Sequence, residues 1–292
     1  MKSSYLLSSL LALSVIAKDP EHIDSPAEAF KYKFIVSLQD DQLQHFCGGS
    51  LIDRWTVLTA AHCCEIAPEK AAVALHRFDL SKPYSEEKGD YLAVAKIIPH
   101  PKYNNESLDN DIGVWKLKTM IPFSIDVDFV KLYKGDKNTD KDLPELNVIG
   151  WGLIDYDKEK LPSKLQEAKV KAVDVDECRE KWKDSFDGNK AVCTRSPNNT
   201  QAICNGDSGG PLFYTLAADP ETNNGHDNYT RYFQVGVVSF GEEKCRIEED
   251  LPDGFTRVSA YRDWVYENLG PLNKKHRLRH YYNKLRSWVR GY

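Results

Sequence analysis

The chain has 292 residues, seven cysteines and a formal charge of −5. Beyond the N-terminus no segment is apolar for long enough to cross a bilayer as a helix, so no transmembrane segment is expected, and the length suffices for a large core in one or two lobes. The charge is divided unevenly: residues 271–292 carry seven basic residues and no acid, leaving 31 basic against 44 acidic residues, or −13, in residues 18–270. No nucleic-acid partner is expected.

The chain opens with Lys2, an apolar run over 6–17 and the small-residue word Val15-Ile16-Ala17, so residues 1–17 read as a secretory signal peptide. An oxidising compartment follows, and with it disulfides. The cysteines at 47, 63, 64, 178, 193, 204 and 245 lack the paired spacing of a structural zinc site, and their odd number leaves one thiol over. Strand-like runs recur at Lys33–Gln39, Ala72–Phe78, Tyr91–Pro99, Ile112–Lys118, Leu146–Gly152, Leu165–Val173, Tyr232–Gly241 and Gly254–Val258. Many short strands between turn signals predict an all-β barrel or sandwich. One globular helix is predicted late, with Ser259 as its N-cap, Tyr261, Trp264, Val265 and Leu269 on one face, and Gly270-Pro271 as its stop.

Between the strands lie the residues that carry chemistry. Thr59-Ala60-Ala61-His62-Cys63 follows a strand-like stretch at Arg54–Leu58, and Asn110-Asp111-Ile112 precedes another. Gly206-Asp207-Ser208-Gly209-Gly210-Pro211 surrounds a serine with glycines, so backbone N–H groups can crowd a reacting carbonyl while the hydroxyl stays exposed. A hydroxyl attacks a carbonyl poorly near neutral pH unless a base removes its proton; an imidazole can, and a carboxylate can fix its tautomer. Three sequons, at Asn105, Asn198 and Asn228, are candidate glycosylation sites. The basic tail spaces Leu278, Tyr281, Leu285 and Trp288 at three- and four-residue intervals, which as a helix gives an apolar stripe beside a basic face. Docking of the stripe on the acidic body and binding of a polyanion, such as a sulfated polysaccharide or an anionic membrane surface, are both open readings.

These words together resemble the trypsin/chymotrypsin-type serine proteases: Phe46-Cys47-Gly48-Gly49-Ser50-Leu51-Ile52, Leu58 to Cys63, Asp111-Ile112-Gly113-Val114-Trp115-Lys116-Leu117, Gly150-Trp151-Gly152, Gly206 to Leu212, and Val238-Ser239-Phe240-Gly241. The resemblance covers roughly residues 24–269. It implies two six-stranded antiparallel β-barrels with a C-terminal helix, protein or peptide substrates, and no metal or organic cofactor. Ser208 would be the nucleophile, His62 the base and then acid, Asp111 the orienting carboxylate, and the N–H groups of Gly206 and Ser208 the oxyanion hole. Ser239, Phe240 and Gly241 would pair with an extended substrate. The implied disulfides are Cys47–Cys63, Cys178–Cys193 and Cys204–Cys245, with Cys64 the odd thiol, buried, modified or bonded to a partner.

The departures from the pattern are informative. The position where trypsins carry their pocket-floor aspartate is Ala202, whereas Asp253 stands on the second pocket segment; an off-axis carboxylate there predicts mixed basic and aromatic P1 preference, against alternatives in which Asp253 faces solvent or Pro252-Asp253-Gly254 is a turn. Family zymogens are activated by freeing a terminal ammonium that pairs with the aspartate beside the nucleophile, here Asp207. Glu21-His22-Ile23-Asp24 replaces the usual word, and no Lys or Arg precedes Ile23. Either an unusual cleavage frees Ile23, or a terminus near Lys18 or Asp19 substitutes, or the chain is a zymogen-like binding homologue. In the loop 76–89 that holds calcium in trypsins, Arg77 stands at the first acidic ligand, so no calcium is expected despite Glu86 and Glu87.

Overall fold

The computed structural model describes residues 25–135, 137–154, 159–183, 187–197, 203–216, 230–241, 245 and 251–271. The signal-peptide and activation-segment readings, Ala202, Asn198, Asn228 and nearly all of the basic tail lie outside the described residues.

The first barrel is built from β2 (Ile35–Gln39), β3 (His45–Asp53), β4 (Thr56–Thr59), β5 (Ala72–Leu75), β6 (Asp90–Pro99) and β7 (Gly113–Leu117), closed in the order β2-β3-β4-β7-β6-β5. The second closes β9 (Leu146–Gly150), β10 (Gln166–Ala172), β11 (Ala191–Arg195), β14 (Asp253–Arg257), β13 (Arg231–Phe240) and β12 (Pro211–Leu216), with every neighbour antiparallel. Two short strands hang on it: β1 (Ser25–Pro26) on β10, and β8 (Lys131–Leu132) on β13. Closure leaves no long edge unpaired within either barrel. Disulfides join Cys47 to Cys63, Cys178 to Cys193 and Cys204 to Cys245. Among the described residues no helix is long and apolar enough to cross a membrane.

The barrels share a core. Phe34 packs edge-on against Phe213 at 5.1 Å between ring centroids and lies 4.7 Å from Tyr232, while Tyr32 meets Phe213 at 5.2 Å. Such tilted aromatic pairs add to the gain from burial itself. Two polar links cross the same seam: Ser50 Oγ donates to Gln234 Oε1 at 2.6 Å, and the Trp151 indole donates to the Phe78 carbonyl at 3.2 Å.

The predicted strands are present, several shortened. The run at 72–78 ends at Leu75 because His76 turns into the left-handed region (φ 53°). The late helix starts differently from the expectation. Ser259 is not a cap; it lies inside a 3₁₀ turn, Val258–Tyr261, that precedes α2 (Arg262–Glu267), because Tyr261 is drawn inward to donate its hydroxyl to Asn110 Oδ1 at 3.1 Å. An earlier helix, α1 (Val175–Trp182), was not expected. Asp174 caps it by accepting from the Asp176 N–H at 2.8 Å, and Cys178 is its buried residue.

The loop 76–89 is organised around a buried cation. Arg77 donates from Nε to Glu87 Oε2 at 2.7 Å, from Nη1 to the Tyr91 hydroxyl at 2.9 Å, and from Nη2 to the carbonyls of Asp79 and Lys82 at 3.0 and 2.6 Å. Glu87 also accepts from the N–H groups of Phe78 and Asp79. The guanidinium thus takes up the carboxylate and carbonyl oxygens that a divalent cation would need here. Arg77→Ala leaves Glu87 buried without its counter-charge and is expected to cost about 3–5 kcal/mol, read as a lower midpoint in chemical denaturation.

Candidate active site

The site grows from Asp111, whose carboxylate is fully buried. Asn110 adopts a left-handed turn (φ 58°) held by Asn110 Nδ2 donating to the Lys102 carbonyl at 2.8 Å, and this bends the chain through Asp111 and Ile112 into β7. Oδ1 of Asp111 accepts from the His62 backbone N–H at 2.9 Å; Oδ2 accepts from His62 Nδ1 at 2.8 Å and from Ser239 Oγ at 2.6 Å. Its own carbonyl accepts from Thr256 Oγ1 at 2.6 Å. With Oδ2 of Asp111 accepting at Nδ1, His62 is assigned the Nδ1–H tautomer, which leaves Nε2 with a free lone pair.

Ser208 belongs to the other barrel but is tied to the first. Its carbonyl accepts from the Gly48 N–H at 2.8 Å, and the Gly209 N–H that follows donates to Val238 at 2.9 Å. The Cys47–Cys63 bridge anchors β3 beside His62, so Gly48 carries the serine loop to the histidine turn. Among the described residues the Ser208 hydroxyl makes no hydrogen bond; the structure joins His62 to Asp111 and brings the Ser208 loop beside them without closing the Ser208–His62 bond.

The loop before Ser208 has its own support. Gly206 has φ 103°, a conformation that side-chain-bearing residues rarely adopt. Its carbonyl accepts from His45 Nε2 at 2.9 Å, while Nδ1 of the same ring is 2.8 Å from Ser37 Oγ, which in turn accepts from Gln39 Nε2 at 3.0 Å. Nε2 therefore carries the proton, and burial pulls His45 down to about 4 from its ordinary value, against the pull of the Gly206 carbonyl. This chain of bonds fixes the Gly206–Asp207 peptide, the one that follows the Gly206 N–H. His45 went unnoticed in the sequence because a lone histidine on a strand has no spacing signature. Ser239 was expected on the substrate-pairing strand and does lie in β13, but its hydroxyl is spent on Asp111.

The trypsin family profile matches residues 24–265. The chain belongs to the trypsin family of serine proteases. It is similar to granzyme-like protein 1 of Rattus norvegicus, 31% identical over 230 residues that cover 79% of this chain and 82% of the relative.

Within this trypsin-family frame the specificity region is partly visible. Asp253 opens β14, pairs with Thr194 of β11 and is only 4% exposed, so it neither faces solvent nor forms a turn. Phe240, opposite Gly254, packs edge-on against Trp182 at 5.0 Å, and the Trp182 indole donates to the Pro252 carbonyl at 2.9 Å, which fixes the chain entering Asp253. Cys64, the odd cysteine, is free; its thiol donates to the Ala60 carbonyl at 3.4 Å and burial pushes it up to about 12, so it is not a nucleophile at neutral pH. Asn105 is exposed. One grouping of potential metal ligands occurs among the described residues, Cys47, His62 and Cys63, and both sulfurs are spent in a disulfide.

Asp207 is the residue under electrostatic strain. It is wholly buried, accepts from Gly152 N–H at 2.8 Å and Cys204 N–H at 2.9 Å, and has no ion pair among the described residues. Gly150 and Gly152 leave it room: a Cβ on either would fall within 2.1 Å of its carboxylate oxygens. Burial pushes its carboxyl up to about 7, only partly offset by the two N–H donors. An unfolded aspartate releases its proton near 4, so between about pH 4 and 7 the folded chain binds the extra proton, and stability falls as pH rises through that window. The shift corresponds to on the order of 4 kcal/mol above pH 7. Denaturation midpoints of wild type and Asp207→Asn measured from pH 4 to 8 are expected to diverge with rising pH, the wild type losing ground; parallel curves would show that Asp207 has found a cation.

Proposed function

We propose that the protein is a secreted serine endopeptidase working through His62, Asp111 and Ser208. The observation that supports this most directly is His62 held by a fully buried carboxylate with its second nitrogen unbonded in the cleft beside the Ser208 loop. On this reading Ser208 Oγ attacks the scissile carbonyl while His62 Nε2 takes its proton, and the N–H groups of Gly206 and Ser208 hold the developing oxyanion. The imidazolium, stabilised by Asp111, then protonates the leaving amine, and water repeats the sequence on the acyl-enzyme. The substrate backbone adds to the chain at Ser239, Phe240 and Gly241, and Asp253 together with Ala202 shapes a P1 pocket that accepts basic and aromatic side chains. Residues 1–17 direct secretion, Asn105, Asn198 and Asn228 carry glycans, and the tail at 271–292 either docks its apolar stripe on the acidic body or engages polyanions.

A second reading, a catalytically silent or zymogen-like homologue serving as a binding module, is favoured by one observation: Asp207 lacks a cation among the described residues, and an unpaired carboxylate beside the oxyanion loop disfavours its working form. Cleavage of a P1-randomised peptide library by the purified protein, beside labelling with a serine-directed fluorophosphonate, separates the two. Turnover and labelling that vanish in Ser208→Ala are expected for the peptidase; absence of both from the intact wild-type protein selects the silent homologue. In Asp253→Gly the basic share of P1 preference is expected to fall about 10-fold or more with the lost carboxylate, with aromatic P1 cleavage retained. Unchanged selectivity would remove Asp253 from the pocket.

A further inference from the structure

Of the three sequons, only Asn105-Glu106-Ser107 lies among the described residues, and it sits on the hairpin that carries Asp111. The hairpin is closed at its base by the His100 N–H, which donates to the Ile112 carbonyl at 2.9 Å. Near its tip it is closed by Asn104 and Asp109, an antiparallel bridged pair joined at 3.0 Å. Inside the tip, Asn104 Oδ1 accepts from the N–H groups of Glu106 and Ser107 at 2.8 and 3.2 Å, so the sequon is held in a tight turn. Asn105 is exposed there, and its side-chain amide makes no hydrogen bond among the described residues.

The contacts of this hairpin put its tip at the rim of the candidate catalytic cleft, over the seam between the barrels. Asp109 accepts at 2.9 and 2.8 Å from Nζ of Lys190, which leads into β11 of the second barrel, and Asn110 accepts from the Tyr261 hydroxyl. Tyr103, on the other arm, is pushed up to about 12, first by burial and then by the charges of Asp111 and Glu65, which sets its ring on the His62 side of the hairpin. Through the bridged pair, Asn105 stands within roughly 17 Å of Asp111 along the backbone.

An exposed, unbonded amide in a tight turn of a chain read as secreted is an open acceptor. Its Nδ2 displaces a polyprenyl pyrophosphate from the anomeric carbon of a lipid-linked oligosaccharide, forming one C–N bond, breaking one C–O bond and releasing a proton. We propose that the glycan on Asn105 is a size filter for the cleft, admitting extended or unfolded polypeptide and holding off folded protein surfaces. This role rests on the peptidase reading of the same site and names its substrate class. An extended chain needs only the width of one strand to add beside Ser239, Phe240 and Gly241. A folded substrate has to bring a surface against the hairpin tip, where a bulky glycan stands.

The test begins with glycopeptide mapping of the full chain secreted from a eukaryotic cell line, in which Asn105 is expected to be occupied. It then compares kcat/KM on the best peptide from the P1 library, free and grafted into a surface loop of a folded carrier protein. Asn105→Gln and Ser107→Ala both abolish the sequon. They are expected to leave cleavage of the free peptide unchanged and to raise cleavage of the grafted loop about 10-fold or more, the scale on which docking constraints shift association. Ser107→Thr keeps the sequon and is expected to behave as wild type, which separates loss of the glycan from a change in the turn. An unoccupied Asn105, or an unchanged ratio in Asn105→Gln while the free peptide is still cleaved, overturns the proposal and leaves the peptidase reading standing. A wild type that neither cleaves the free peptide nor takes the fluorophosphonate overturns both.

Discussion

The site depends on one buried carboxylate. Asp111 is placed by a left-handed residue at the entrance to β7 in the first barrel, yet two of its bonds come from Ser239 on β13 and Thr256 on β14 in the second. Removing a carboxylate from water is expensive and is compensated only when its lone pairs are filled. Here they are filled by donors from both barrels, so the bonds that satisfy the buried Asp111 carboxylate also fix the relative position of the barrels at the cleft. His62 inherits its tautomer and ring orientation from that arrangement, and chemistry at Nε2 follows from a constraint on Nδ1.

The second buried carboxylate is in the opposite condition. Asp207 has two backbone N–H donors and no counter-charge among the described residues, and burial makes its proton hard to remove. It stands between Gly206, whose carbonyl is held by His45, and Ser208, whose carbonyl is held by Gly48. The loop around Ser208 is therefore secured at both ends by neutral hydrogen bonds, with a buried carboxylate lacking a counter-charge among the described residues at its centre. A cation beside Asp207 would relieve that cost.

Elsewhere the fold resolves buried charge internally. Arg77 answers Glu87 and several carbonyls in the loop at 76–89, and Arg257 answers Asp140 on the flank of the second barrel. The two guanidiniums differ in completeness. Every nitrogen of Arg77 has an acceptor, so that loop is self-contained, whereas the buried Nε of Arg257 has no partner among the described residues.

Strand-like runs made an all-β barrel or sandwich legible in the sequence, and the family resemblance carried by the words around His62, Asp111 and Ser208 implied the two barrels and named the candidate site residues, because backbone propensity and short motifs are local. Elements with weak local signals were missed. Helix α1 has only three apolar positions in eight and is held by a disulfide and a cap, and the start of α2 was misplaced because Tyr261 answers to Asn110, 151 residues away. His45, the spending of the Ser239 hydroxyl on Asp111, the orphaned Nε of Arg257 and the isolation of Asp207 were likewise out of reach. The sequence by itself determined which chemical groups exist and which strands form; only the tertiary structure decided which groups meet, since the hydrogen bonds that define the site join segments brought together by barrel closure rather than by chain neighbourhood.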